Sequence, residues 1–250
     1  MEVHHHSHTP GKKWTHYFWE FFMLFLAVTL GFIVENYREH YVEHKRTRIL
    51  AASLYEDVRN DTAALNQSIQ FSKMKIDSIN SAVIMFHRPK KEWNDTALYT
   101  DMNIGTRVYP FERTGATYDQ IKASGSLRYF KQSLVNILNA YDVQAKKVMI
   151  REDIDIKFTV EQYLPLVNNF ANNEVAFDIR FGLPITHEFY YTSTDLATIR
   201  KLINTLLVLK STRMRALQEY DELLQKATKV LNELKKEYHL SASGRTPLEE

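Results

Sequence analysis

The sequence predicts an all-α membrane protein in which one N-terminal transmembrane helix continues into a long-helix antiparallel bundle with an irregular connector. Three observations carry this expectation. An aromatic-flanked apolar run lies near the start, no helix breaker stands between Glu35 and His87, and three stretches place apolar residues at spacings of three and four. With only seven Gly and six Pro in 250 residues, long helices are favoured over turn-dense β architectures and Gly-rich phosphate loops.

The first element reads WTHYFWEFFMLFLAVTLGFIV from Trp14 to Val34, and the segment from Phe21 onward carries no charge. An apolar stretch needs about 20 residues to span a bilayer. The run reaches that length when its flanking rings are counted: Trp14, Tyr17 and Trp19 at one end, Tyr37 and Tyr41 at the other, as expected at two headgroup layers. Glu20 is the one charge inside. It reads either as an interfacial group near the helix N-terminus or as a carboxylate that meets a partner helix. The residues after the run, Glu35, Asn36, Tyr37 and Arg38, offer no small-residue cleavage site, so the helix is expected to stay as an anchor.

Beyond it the helix is expected to continue to Pro89, with Leu50, Leu54, Val58, Leu65, Ile69, Ile76, Ile79, Val83 and Phe86 as its buried stripe. From Lys90 to Thr114 no period is sustained, and the segment reads as a connector with short β or irregular pieces. Thr117 to Phe130 reads as a short helix broken near Gly125. A helix then runs from Lys131 to about Asn168, ended or kinked by Pro165, with Leu134, Leu138, Tyr141, Val148 and Phe158 on one face. A polar connector holds Asn172, Asn173, Gly182 and Pro184. The last helix is expected to start at Ser193 or Thr194, with Asp195 in its first turn and Leu196, Ile199, Ile203, Leu206, Leu217, Tyr220, Leu224, Leu231, Leu234 and Tyr238 at near-heptad spacing. The expected organisation is a His-rich cytoplasmic tail over 1–13, the transmembrane helix over 14–36, the bundle over 37–239, with coiled-coil character, and a flexible tail over 240–250.

Composition narrows the chemistry. The 32 basic and 30 acidic residues leave a net charge of +2, no bulk field to draw in nucleic acid. The absence of cysteine removes disulfides, thiolate metal sites and cysteine nucleophiles. His4, His5, His6, His8 and His16 crowd the N-terminus, and His40 and His44 share a helix face. Imidazoles so placed can hold a metal only with further ligands, so no metal or cofactor site is assigned. No catalytic motif occurs, and an enzyme is not expected. The loop RVYPFERTG and the residues after it supply Arg107, Tyr118 and Arg128 as a possible binding loop. Asp61-Thr62-Ala63, Asp77-Ser78-Ile79 and Asp95-Thr96-Ala97 have the form of bacterial O-glycosylation acceptors.

Glu20 at the head of the apolar run, Asn36 and Glu39 just after it, and TYDQIKASGSLRYFKQ together resemble a family of uncharacterised single-pass bacterial membrane proteins with an N-terminal anchor and a helical domain. Ile121 to Arg128 stand where that family has Leu-Lys-Ser-Ser-Gly-Asn-Leu-Arg. The chain departs from it at the N-terminus, where histidines replace a longer basic stretch. The resemblance implies a bacterial inner-membrane protein with a cytoplasmic N-terminus and a periplasmic domain, and no activity. Lys12 and Lys13 abut the apolar run on one side, against Arg38, Lys45, Arg46 and Arg48 on the other. The expected function is a membrane-anchored helical binding or scaffold module in the lipid bilayer, an accessory subunit of an envelope complex or a homo-oligomer. The alternative is an extracytoplasmic sensor that binds an unidentified small molecule and relays through a separate membrane partner.

Overall fold

In the computed structural model, which describes residues 14–240, helix α1 runs unbroken from Trp14 to Phe86. Its end falls where the sequence dictates, because Pro89 lacks an amide hydrogen and forces the preceding residue out of the helical region. The chain divides into two units, Met1–Ile49 and Leu50–Glu250. In the first, α1 contains a window of mean hydropathy 2.0, none of it buried, that is long and apolar enough to cross a membrane.

The second unit is all-helical among its described residues: the rest of α1, then α2 (Asp95–Thr106), α3 (Ala116–Ala123), α4 (Gln132–Phe158), α5 (Leu164–Phe170), α6 (Asn173–Phe181) and α7 (Leu196–Tyr238). Asp61 meets Tyr141 and Lys75 meets Asp155, so α1 and α4 run in the same direction. The antiparallel relation holds for α7, which pairs Thr212 with Asp155 and Glu237 with Lys131. The parallel pair exists because the segment between Phe86 and Gln132 carries the chain back along the bundle. That segment contains α2, where the sequence predicts only a connector with short β or irregular pieces. Asn94 starts the helix by accepting a hydrogen bond from the Ala97 amide at 3.0 Å. The second polar connector likewise hides α6, capped by Asn172 at its start and by Gly182 at φ 64° at its end.

The helix expected from Lys131 to Asn168 is divided. Pro165 cannot donate to the carbonyl four residues back, and a single widened turn at Thr159–Tyr163 absorbs the mismatch before α5 begins. Gly125, at φ 69°, makes the break foreseen after α3. Asp195 is the N-cap of α7 rather than a residue of its first turn, accepting from the Thr198 amide at 2.9 Å. Leu240, assigned to the tail, is buried with the bundle. The expected His-rich tail over 1–13, with His4, His5, His6 and His8, and the end of the expected tail over 241–250 lie outside the described residues.

The three long helices meet through seams of three-four spacing. On α7 the buried seam runs Ile199, Leu202, Leu206, Leu209, Arg213, Ala216, Tyr220, Leu223, Ala227, Val230, Leu234, a sustained heptad pattern. On α1 it runs through Ala51, Leu54, Val58, Asp61, Leu65, Ser68, Ser72, Lys75, Ile79, Ala82 and Phe86. Ile76 and Val83, expected on that stripe, are only half-buried, while Ser72 and Lys75 are fully inside. The apolar core is correspondingly split. A first core gathers Leu54, Phe111, Ile121, Leu138 and Leu223, and a second gathers Ile79, Leu98, Phe170, Val175 and Leu206.

Candidate functional site: a buried ionic layer and an exposed apolar connector

Between the two cores every long helix contributes charge to one level. Arg213 of α7 reaches Glu152 at 3.0 Å and Asp155 at 2.8 Å on α4, and its other terminal nitrogen donates to Ser72 of α1 at 3.3 Å. Lys75 of α1 lies 3.9 Å from Asp155 and donates to the Arg107 carbonyl at 2.9 Å, while Thr212 donates to Asp155 at 2.6 Å. Lys75, Asp155 and Arg213 are at most 2 % exposed. Two cations face two carboxylates, so the layer is neutral as a whole, the condition under which charges persist inside a protein. Burial pushes Lys75 down to about 8 against the pull of Asp155, and pushes Glu152 up against the pull of Arg213. Satisfaction is incomplete, since Glu152 Oε1, Arg213 Nε and Thr159 Oγ1 are buried without a hydrogen-bond partner in the protein.

The loop Arg107–Gly115 does not stand over the bundle; it lies along it. Lys75 holds its start, Tyr109 donates to Gln67 at 2.9 Å, Phe111 enters the first core, and the Thr114 amide donates to Asp61 at 2.7 Å. Arg113 and Lys146 both bind Asp142. Burial by itself would raise that carboxylate, but Lys146, Arg113 and Lys122 together hold it below the usual range. Asp61 is raised, its burial outweighing the hydrogen bonds from Tyr141 and Thr114. Of the residues assigned to a binding loop, Tyr118 is buried and donates to Asn139 at 2.6 Å. Arg128 is exposed against its neighbour Tyr129, and Arg107 is exposed with its carbonyl on Lys75. Each has its own partners, and no contact joins the three.

Glu20, in the first unit, pairs with His16 at 3.0 Å one turn earlier. Among the described residues no group of three or more His, Cys, Asp or Glu could hold a metal. Of the three acceptor-like sequences, Thr96 is exposed, Thr62 half-buried and Ser78 buried with its hydroxyl on Asp101.

The surface feature that sequence reasoning missed is the connector between α6 and α7. It is stapled at its far part. The Tyr99 hydroxyl donates to the Tyr190 carbonyl at 2.6 Å and accepts from the Asn172 amide at 2.8 Å, Tyr191 donates to Asp95 at 2.7 Å, and Tyr191 packs on Phe170 and Trp93. His187 sits 3.0 Å from Asp178, whose hydrogen bond raises the imidazole. Yet every residue from Phe181 to Glu188 is exposed, including Leu183 and Ile185, and beside them Phe177 and Phe181 pair ring to ring with 55 % and 62 % of their surface open. Apolar residues scattered singly on a surface need no explanation, whereas this many on one short segment form a patch. The sequence carried a signal for it: Phe, Leu, Ile and Pro fall together in a stretch with neither helical nor strand period. Comparison with protein-family models, with curated proteins and with solved structures finds no match to this chain.

Proposed function

We propose that this chain is a non-enzymatic, membrane-anchored helical module that acts by docking a protein partner, as an accessory subunit of a bacterial envelope complex or as a homo-oligomer. The observation that carries this reading is the exposed apolar surface of α6 and the connector after it, where Phe177, Phe181, Leu183 and Ile185 stand open within one short segment and the two rings pair with each other. Patches of this kind mark interaction sites on soluble domains. Glu174 and Glu188 stand exposed on the same segment with Arg180, so it offers no cluster of basic side chains to an anionic lipid surface, which favours protein as the occupant. In this reading the apolar window of α1 spans the inner membrane once, residues 1–13 are cytoplasmic and the bundle is periplasmic. The ionic layer serves the module by fixing the register of three helices, a role for which buried polar groups are known.

Site-specific photocrosslinking in the native membrane tests the docking surface. A photoreactive residue at Leu183 is expected to give one discrete adduct of defined mass, lost when Phe177→Ser and Phe181→Ser are added. The same probe at Gln225, exposed on the outer face of α7, is the control. Equal, diffuse labelling from both positions would remove the reading.

A further inference from the structure

The two apolar cores never merge, and the level that separates them is the one at which all three long helices carry buried charge: Lys75 on α1, Glu152 and Asp155 on α4, and Arg213 on α7. Cooperativity in a helical bundle travels through continuous side-chain packing, and an ionic layer replaces that packing by contacts that depend on a few exact distances. This layer is also incompletely paired at Glu152 Oε1, Arg213 Nε and Thr159 Oγ1. Just past it, α4 loses its regular ladder in the widened turn Thr159–Tyr163 and restarts at Pro165 as α5. The backbone is thus weakened on one helix at the level where the side-chain packing is interrupted on all three.

We propose that the ionic layer is a joint: it divides residues 50–240 into two cooperative units, and the unit built from α2, α5, α6 and the adjoining ends of α1 and α7 opens while the other stays folded. Local opening in contiguous units is a general property of folded chains, drawn from the regions of interrupted packing. The opening unit is the one that carries Phe177, Phe181 and Leu183, so the layer sets how often the docking surface is rearranged. That consequence rests on the docking reading; the division itself does not.

Native-state hydrogen exchange on the full chain in lipid nanodiscs tests the division without any partner. Amides of Leu98–Met102 and Val175–Ile179 are expected to exchange at least about tenfold faster, after correction for intrinsic rates, than those of Leu54–Val58 and Leu134–Val148, as two separate groups. A single common opening rate for both groups in the unmodified chain overturns the proposal. Replacing the layer by apolar side chains, Lys75→Met, Glu152→Leu, Asp155→Leu and Arg213→Met together, is expected to fuse the cores and bring the two groups to one rate. Two groups that stay as far apart as before would show that the layer is not the cause and would equally overturn it. Should that fourfold variant not fold, the pair Lys75→Met with Asp155→Leu keeps the neutral Arg213–Glu152 contact, and the gap between the groups must narrow in it for the proposal to stand.

Discussion

Arg213 shows how one side chain can hold two carboxylates inside an apolar bundle. Removing it as Arg213→Met leaves Glu152 and Asp155 buried with Lys75 as the only cation, 3.9 Å from Asp155. Breaking a buried ion pair from one side costs about 3–5 kcal/mol, so the variant is expected to lose that much of the roughly 5–15 kcal/mol that holds a folded domain together, read as a fall in the midpoint of urea unfolding. Lys75 adds a pH dependence of opposite origin. Its folded value, about 8, lies below the ordinary 10.5 of a free lysine. Between these values the unfolded chain binds a proton that the folded chain does not, so stability rises as pH climbs through that window. Thermal unfolding at pH 7.5 and 9.5 is expected to show the wild type gaining stability at the higher pH and Lys75→Met gaining none from this source. An equal gain in both would place the titration elsewhere.

At the scale of elements, what was legible in the sequence were the long helices, and what was not were the short ones and the polar contents of the seams. The end of α1 followed from the absence of breakers before Pro89, and the turn after α3 from Gly125. Helix α2 and helix α6 escaped notice because twelve and nine residues are too few to show a period, although Asn94 and Asn172 were present as caps. On α7 the apolar residues named from spacing flank the seam more often than they occupy it: Leu217, Leu224 and Leu231 are half-buried, while Ala216, Leu223 and Val230 are inside. Arg213 was the reason, because a charge at a seam position breaks the apolar count in the middle of a true heptad. The apolar connector after α6 left a trace in its aperiodic run of Phe, Leu, Ile and Pro, but its exposure could not be read from the identity of those residues. Gly105 gives a test at this scale. A methyl group there would lie 2.7 Å from Cε1 and 2.8 Å from the hydroxyl of Tyr163, which is fully buried in the widened turn. Overpacking of this kind costs about 1–3 kcal/mol. Gly105→Ala is therefore expected to lower the thermal midpoint and, above all, to speed exchange in α2 and α5 more than in the first core.

For the whole molecule, with α1 proposed as a membrane span, the deciding question is which side of that membrane the bundle occupies, because it determines which partners the Phe177–Ile185 surface can reach. Two arguments oppose each other. Arg38, Lys45, Arg46 and Arg48 follow the apolar run where only Lys12 and Lys13 precede it, and a literal count of basic residues would leave the bundle in the cytoplasm. The distal group, however, is interleaved with Glu35, Glu39 and Glu43, and Arg38 is engaged with Glu35 through a hydrogen bond of 2.9 Å. Part of its charge is thus answered locally, whereas Lys12 and Lys13 directly abut the run. The acceptor-like sequences add less than their number suggests, because Ser78 is buried and only Thr96 is open to an enzyme. We therefore expect a periplasmic bundle. Since the chain has no cysteine, single substitutions report accessibility without background. In intact spheroplasts a membrane-impermeant thiol reagent is expected to label Ser243→Cys and to spare Ser7→Cys until the membrane is permeabilised. The reverse pattern would place the bundle in the cytoplasm, leave Thr96 out of reach of an envelope glycosyltransferase, and move the search for the docking partner to the other side of the membrane.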